Sequence, residues 1–263
     1  MVPGAVALEH RQRRVQTARP GFESRKAGVG GNLRDPARWC AVAIALGGSL
    51  LAAAPAGAAS TWLAPVNLSG AGQDVLGPQV DVDAQGNAVT VWARSNGSRM
   101  IAQGAVRPAG GAWQAAVDLS AGGTDGFHQQ IAVDAQGNAI AVWNRGVYVQ
   151  VAERPVGGAW RTPLNLSLVG GSATTPQVSV DPRGNAMAVW SRGNGADDII
   201  QAASRPAGGS WTTPVDISVA GQDANTSQVA LDRHGNAVAV WSRFNGANTI
   251  TQAALHPACL AAV

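Results

Sequence analysis

Hydrophobic and polar residues alternate along four short stretches of this chain, and each stretch ends in a tryptophan. One copy, residues 133–143, reads VDAQGNAIAVW. Alternation with period two predicts β-strands, and the Asp-x-x-Gly-Asn segment within each copy predicts a tight turn between two of them. Asp can accept hydrogen bonds from nearby backbone N–H groups, while Gly and Asn tolerate positive φ. The turns begin at Asp83, Asp134, Asp181 and Asp232.

A second hairpin follows each of these tryptophans. In three copies its turn contains the Asn-Gly pair that a type I′ turn prefers, at 96–97, 194–195 and 245–246, while the second copy turns around 144–147. The returning strand ends in proline. A fourth strand then opens with another tryptophan, so that each repeat of about fifty residues predicts four short antiparallel strands, as in a propeller blade.

The order of these strands predicts how the chain closes. A tryptophan strand, residues 62–69, precedes the first three-stranded module, and a three-stranded module, residues 228–257, comes last. We therefore expect an all-β fold: a β-propeller of four four-stranded antiparallel blades, closed by pairing of the N-terminal strand with the last blade. Closure would protect the sheet edges. An incomplete ring is the alternative, because the chain reads HPACLAAV where other copies continue with Arg-Pro-x-Gly-Gly.

Tryptophan dominates the aromatic residues of the repeats, which otherwise contain only Phe127, Phe244 and Tyr148. Blades cannot bury their faces alone, and a wide aromatic side chain can fill the gap between twisted sheets. We interpret eight tryptophans, two in each blade, as structural wedges. They are Trp62, Trp92, Trp113, Trp143, Trp160, Trp190, Trp211 and Trp241.

The repeat resembles that of secreted bacterial β-propeller proteins grouped with the sialidase-like, Asp-box propellers. The resemblance covers about residues 61–257 and rests on Asp-x-x-Gly-Asn-Ala-x-x-x-Trp and Arg-Pro-x-Gly-Gly. An Asp box reads Ser/Thr-x-Asp-x-Gly-x-x-Trp, so Gly and Trp are offset here. Such motifs are structural, and the resemblance therefore implies a fold more than an activity.

The first 59 residues have the composition of an export leader. Arg34 and Arg38 precede the apolar run 39–54, which has the length of a signal-peptide core rather than of a membrane span, and small residues place cleavage near Ala58 or Ala59. We expect residues 1–59 to be signal peptide and leader, 60–258 the repeat domain and 259–263 a short tail. The mature protein is expected to be secreted, without a stable membrane anchor.

Charge is distributed unevenly between leader and repeats. The leader carries eight basic and three acidic residues, whereas residues 60–263 carry eleven basic and thirteen acidic residues and no lysine. A nearly neutral surface without lysine does not favour the phosphate contacts of nucleic-acid binding. No glycine-rich loop opens a helix, so no nucleotide or other cofactor is expected. The scattered histidines and the single Asp81–Asp83–Asn87 cluster do not predict a metal site.

Candidate ligand-binding residues lie on the face formed by the most variable loops. Acidic residues occupy equivalent loop positions in three copies, and an arginine follows each hairpin tryptophan by two residues. These arginines predict either a ring of guanidinium groups for a carboxylated ligand or, as the alternative, structural contacts within the blades. The candidates are Arg94, Arg145, Arg192, Arg243, Asp74, Asp125, Asp223, His128 and Tyr148.

We predict no catalytic residue. A retaining sialidase needs a Tyr–Glu pair, but Tyr148 and Glu153 lie five residues apart on one strand, which separates them by about 16 Å and places them on opposite faces. The sequence favours a secreted non-catalytic binding module for glycans or cell-envelope components. A degenerate sialidase-like glycoside hydrolase and a purely structural surface protein remain the alternatives.

Overall fold

The computed structural model describes residues 62–258. The predicted leader (1–59) and tail (259–263) lie outside the described residues, so cleavage and secretion remain predictions. No helix in the described part of the chain is long and apolar enough to cross a membrane.

Fifteen strands form four antiparallel sheets in the described residues, and each sheet follows the chain in order. Blades 1, 2 and 3 have four strands, of which the fourth is only two residues long, and blade 4 has three. The strands are β1 Val75–Val82, β2 Ala88–Ser95, β3 Met100–Arg107 and β4 Val117–Asp118 in blade 1; β5 Gly126–Val133, β6 Ala139–Arg145, β7 Tyr148–Arg154 and β8 Leu164–Asn165 in blade 2; β9 Ala173–Val180, β10 Ala186–Gly193, β11 Asp198–Arg205 and β12 Val215–Asp216 in blade 3; and β13 Ala224–Leu231, β14 Ala237–Phe244 and β15 Thr249–His256 in blade 4.

The Asp-x-x-Gly-Asn segments form the predicted turns. In blade 1, the Asp83 carboxylate accepts hydrogen bonds from the backbone N–H groups of Gln85 and Asn87, at 2.9 and 2.8 Å, and from the Asn87 side chain at 2.6 Å. Gly86 has a φ of 88°, which an L-residue rarely adopts. The neighbouring Asp81 instead accepts the backbone N–H of Val133 in blade 2 at 2.8 Å. Both carboxylates therefore stabilise the fold through hydrogen bonds.

The tryptophan of each second strand is buried and faces a glutamine on the third strand. Trp143, Trp190 and Trp241 lie in the hydrophobic clusters between successive blades. Trp92 donates to Gln103 Oε1 at 3.1 Å, and Trp190 and Trp241 make the equivalent bond to Gln201 and Gln252 at 3.2 Å. The amide of Gln103 in turn donates to Asp118 on the fourth strand at 2.9 Å. In these three blades the bond from indole to glutamine pairs the N–H of a buried ring. In blade 2 the Trp143 N–H is buried without a hydrogen-bond partner among the described residues.

The fourth-strand tryptophans pack less deeply. Trp160 contacts the hydrophobic cluster between blades 1 and 2, and Trp211 contacts the cluster between blades 2 and 3. Trp113 is half-buried on blade 1. Trp62 is fully exposed and is not a wedge in this structure, because no blade lies against it.

The predicted pairing of residues 62–69 with the last blade is absent from the strand pairs of the described residues. The inner strands β1, β5, β9 and β13 lie side by side in chain order, but within this part of the chain β13 and β1 are not close neighbours. Residues 62–69 are largely exposed and pair with no strand, so that the four blades of the described chain form an open arc. The four predicted bladed units are present, and no pairing that closes them is found among the described residues.

Replacing Trp190 by alanine should strongly destabilise the fold. Its side chain is completely buried between blades 2 and 3, and truncation leaves a cavity that costs about 3–5 kcal/mol of unfolding free energy. Urea unfolding monitored by circular dichroism measures this loss. Val169→Ala, an exposed loop change, is the control and should change stability by less than about 0.5 kcal/mol.

Acid should weaken the Asp-x-x-Gly-Asn turns. Burial by itself raises the pKa of Asp83, but hydrogen bonds from Asn87 and nearby backbone amides outweigh this effect and lower the pKa overall. The hydrogen bond from the Asn236 side chain lowers the pKa of Asp232 in the same way. Because the folded-state pKa values are depressed, their stabilisation is complete above the unfolded value of about 3.9 and is lost as pH falls through the lower folded value. Unfolding midpoints between neutral pH and about pH 2 should fall less steeply for Asp232→Asn than for wild type; equal slopes would contradict this assignment.

Candidate functional site

A polar groove lies between blades 2 and 3, at the end of the blades that carries the Asp-x-x-Gly-Asn turns. It encloses a cavity of about 150 Å³. Blade 2 contributes side chains from the end of β7 and from the segment before β8, while blade 3 contributes its first turn and the end of β11. The charged residues that line it are Asp134, Glu153, Arg154, Arg161, Arg183 and Arg205.

Glu153 links the two blades at the base of this groove. Its Oε2 lies 2.9 Å from Arg205 Nη1 and 3.3 Å from Arg161 Nη1, and its Oε1 accepts the Trp211 indole N–H at 3.0 Å. Arg205 also donates to the backbone carbonyl of Gly184 at 3.1 Å. The Glu153–Arg205 pair is mostly buried, whereas Arg161 is exposed. The charge of Glu153 is therefore neutralised, and both of its carboxylate oxygens have partners.

Arg154, the next residue, is buried without a counter-charge. Only 9% of it is exposed, and among the described residues neither an ion pair nor a side-chain hydrogen bond engages its guanidinium. Burial lowers the pKa of Arg154, although a guanidinium remains a cation at neutral pH. A buried and unpaired charge is energetically costly. Because successive residues of a strand point to opposite faces, Arg154 faces blade 1 while Glu153 faces blade 3. Arg154 lines a cavity of about 300 Å³ between blades 1 and 2, which Gln114, Asp118 and Trp160 also line. This cavity therefore contains a cationic group suited to an anionic ligand.

This arrangement occurs once in the repeat. At the position of Glu153 the other blades have Val106, Ser204 and Leu255. Arg107 and Arg205 are the repeat equivalents of Arg154, but Arg205 is paired and Arg107 is half-buried rather than buried. The internal repeat therefore builds the same groove several times, and blade 2 alone supplies this charge pattern.

The arginines predicted on the loop face bind their own blades. Arg94 donates to Gln73 and lies 3.3 Å from Asp118, while Arg145 and Arg192 donate to loop carbonyls at 3.3 Å. Arg243 is half-buried on β14 of the last blade. The contacts of Arg94, Arg145 and Arg192 agree with the alternative in which these arginines are structural. Their partners are loop groups and Asp118 rather than the tryptophan rings.

The acidic residues predicted on that face connect hairpins to neighbouring loops. Asp125 accepts the backbone N–H of Met100 at 2.8 Å and lies 3.1 Å from Arg99; these bonds lower its pKa. Asp223 accepts the N–H of Asp198 at 2.9 Å. The backbone carbonyl of Asp74 accepts the N–H of Ser95 at 2.8 Å. These contacts order the loops.

His128 and Tyr148 lie apart from the polar groove between blades 2 and 3. His128 occupies a β-bulge with a φ of 54°, and its Nδ1 is 3.1 Å from Asn144 Oδ1. Tyr148 lines a shallow cavity with Arg145 at the start of β7, whereas Glu153 lies near the other end of that strand. The structure thus keeps the tyrosine and the glutamate in separate cavities.

Sequence reasoning had placed the candidate site on the opposite face from this groove. A signal for it was present, since Glu153 is the single glutamate after residue 59 and interrupts the repeat pattern. Its meaning depended on Arg205 and Trp211, which come from the next blade.

Comparison with known proteins supports the fold alone. No family model matches the chain, and no curated protein matches it in sequence. A Dyadobacter fermentans protein of unknown function has a similar structure, with a TM-score of 0.51 and 10% identity over 67% of this chain and 51% of its own. The fold is a β-propeller.

Two enzymes show weaker similarity. The GH93 α-L-arabinofuranosidase of Fusarium graminearum has a TM-score of 0.45 and 12% identity over 69% of this chain and 62% of its own; the leech intramolecular trans-sialidase has values of 0.44 and 10% over 66% and 30%. The chain thus spans less than two thirds of each of these three structures.

Removing Glu153 should destabilise the junction of blades 2 and 3. Glu153→Ala leaves Arg205 buried without its partner, which costs about 3–5 kcal/mol in comparable buried pairs. Arg161→Ala removes an exposed partner of the same carboxylate and should cost no more than about 1 kcal/mol. Urea unfolding of both variants checks the difference, and equal losses would show that the buried pair is not the dominant contact.

Proposed function

We propose that the protein is a non-catalytic binding module that holds an acidic saccharide in the cavity between blades 1 and 2. The observation that carries this proposal is Arg154, which is only 9% exposed, lines this cavity and has no carboxylate partner among the described residues. Arginine presents its donors in a planar fork that matches a carboxylate, and a charge-assisted pair is stronger in a partly dehydrated cavity.

The dimensions of this cavity favour one charged unit of a larger ligand. Its volume of about 300 Å³ is at the lower end of the roughly 300–1,000 Å³ typical of pockets that enclose a whole drug-sized molecule. A single uronic or sialic acid residue, inserted from a chain that continues into solvent, suits an open cavity lined by Arg154. Such polymers occur at cell envelopes, which a secreted protein would meet.

The carboxylates near Arg154 support a binding role rather than hydrolysis. Glycoside hydrolysis needs two acidic groups that can exchange protons or attack the sugar. Asp118, which lines the cavity, accepts a hydrogen bond from Gln103 at 2.9 Å and lies 3.3 Å from Arg94. Both oxygens of Glu153, on the other face of β7, are engaged by Arg205, Arg161 and Trp211. Neither group is free to act as acid, base or nucleophile.

Binding to an array of acidic and neutral glycans tests the proposal, with the affinity of the best acidic hit measured by calorimetry. Arg154→Gln should weaken that affinity about 10- to 150-fold, because a hydrogen bond to a charged group contributes about 1.5–3 kcal/mol. Arg107→Gln, the same change at the equivalent position of blade 1, is the matched control and should leave binding unchanged.

Thermal unfolding separates lost binding from lost structure. Arg154→Gln removes an unpaired buried charge, so its Tm should equal or exceed that of wild type. The proposal fails if no acidic glycan binds, or if Arg154→Gln binds as tightly as the wild-type protein.

A further inference from the structure

The fourth strand of a blade is supplied by the segment that leads into the next blade. In blade 3, the Ile200 carbonyl accepts the N–H of Ile217 at 2.8 Å, the Ser218 hydroxyl accepts the N–H of Ile200 at 2.8 Å, and Gln201 donates to Asp216 at 2.7 Å. Blades 1 and 2 repeat all three bonds. The equivalent fourth-strand residues are Asp118, Leu119 and Ser120 in blade 1 and Asn165, Leu166 and Ser167 in blade 2.

Blade 4 has the receiving edge for such a strand but no strand on it. Gln252 accepts the Trp241 indole N–H at 3.2 Å, as in the other blades, yet among the described residues no fourth-strand side chain receives its amide. The outer strand β15 is exposed along most of its length. An exposed, unpaired edge is a template for another strand.

Residues 62–69 have the sequence of the missing strand. Their WLAPVNLS matches WTTPVDIS at 211–218, so that Asn67 and Ser69 correspond to Asp216 and Ser218. In the structure this segment belongs to no sheet, and Trp62 is fully exposed. One unpaired strand and one unpaired edge therefore carry complementary hydrogen-bonding groups.

A cavity between blades 3 and 4 has the position that a fourth-strand tryptophan occupies elsewhere. This cavity, of about 120 Å³, is lined in part by Met187, Ser204, Val229 and Ala237. Their equivalents two blades earlier belong to the cluster against which Trp160 packs: Val89, Val106, Ile131 and Ala139. Trp62 is the tryptophan that belongs to this cavity by repeat position.

The outer faces of the first and last blades are the two halves of an ordinary blade junction. Val238 of blade 4 is 44% exposed, while its equivalents Val89, Ile140 and Met187 are 1, 2 and 6% exposed. On blade 1, Val80 and Val82 are exposed, whereas the matching inner-strand residues of blades 2 and 3 are half-buried. Blade 4 therefore presents the face that a following blade 1 would cover.

In each of blades 1 to 3 the fourth strand is followed, after a short loop, by the inner strand of the next blade. A chain that supplies residues 62–69 to blade 4 must therefore also place its own β1 beside β13 of that blade. The β1 strand of the same chain is not next to β13. We propose that the donor is a second copy of this chain, whose residues 62–69 complete blade 4 and whose blade 1 covers its outer face.

The junction is head-to-tail, with a donor strand at one end of each copy and an acceptor edge at the other. Two copies that exchange both strands are the smallest closed assembly. Trp62 then acts as the central anchor, filling an apolar cavity in the way that large aromatic residues do at interface centres.

Cysteine cross-linking of the full chain tests this junction. In blades 1 and 3 the fourth-strand register pairs Val117 with Gly104 and Val215 with Ala202, which predicts Val66 opposite Ala253. In a Cys40→Ser, Cys259→Ser background, Val66→Cys with Ala253→Cys should, after oxidation or treatment with a short bismaleimide, convert most chains into covalent species of two or more chains under denaturing conditions. Val66→Cys with Val169→Cys is the control and should not.

A link confined to single chains would overturn the proposal, since the chain would then close on its own N-terminal strand; so would the absence of any link. Light scattering on uncross-linked protein gives an independent measurement. Trp62→Ser should shift the mass from two or more chains to one, while Val169→Ser, another exposed apolar residue, should not. A monomeric wild-type protein contradicts the junction.

Discussion

Everything in this fold depends on burying one indole ring in each blade junction. The second-strand tryptophan is apolar enough to replace water between two twisted sheets, and a glutamine on the third strand accepts its N–H in blades 1, 3 and 4. In blades 1 and 3 the same glutamine binds the fourth strand. One relay therefore fixes three strands of a sheet and holds the wedge between sheets.

Repetition of that relay makes the grooves between blades similar, and single departures from the repeat make them different. In blade 2 a glutamate replaces an apolar or hydroxyl side chain and draws Arg205 and Trp211 of blade 3 into one network. The adjacent Arg154 points to the other face of β7, toward blade 1, and has no counter-charge among the described residues. A symmetric scaffold thereby acquires one asymmetric, positively charged cavity, which is how a structural repeat can carry a specific site.

The same repetition explains why the ends of the arc matter. Blades 1 and 4 carry the residue types that are buried at the internal junctions, so their outer faces remain apolar even though no blade of the described chain covers them. Surfaces of this kind favour association, and here the receiving edge and the matching strand lie in the last and before the first of the described blades.

The sequence alone determined the strands, the turns, the four repeats and the buried second-strand tryptophans. These features depend on alternation and turn chemistry within about ten residues, where local sequence and local structure agree. It also showed that Tyr148 and Glu153 cannot act together, because their separation along one strand is a local property. Tertiary structure decided two further matters. Whether the arc closes depends on the combined orientation of successive blades over several junctions, and no single repeat encodes this combined orientation. Contacts between blades depend on side chains about fifty residues apart. Glu153 gained its significance only when Arg205 and Trp211 were placed beside it, and Arg154 only when blade 1 was placed against its face of β7.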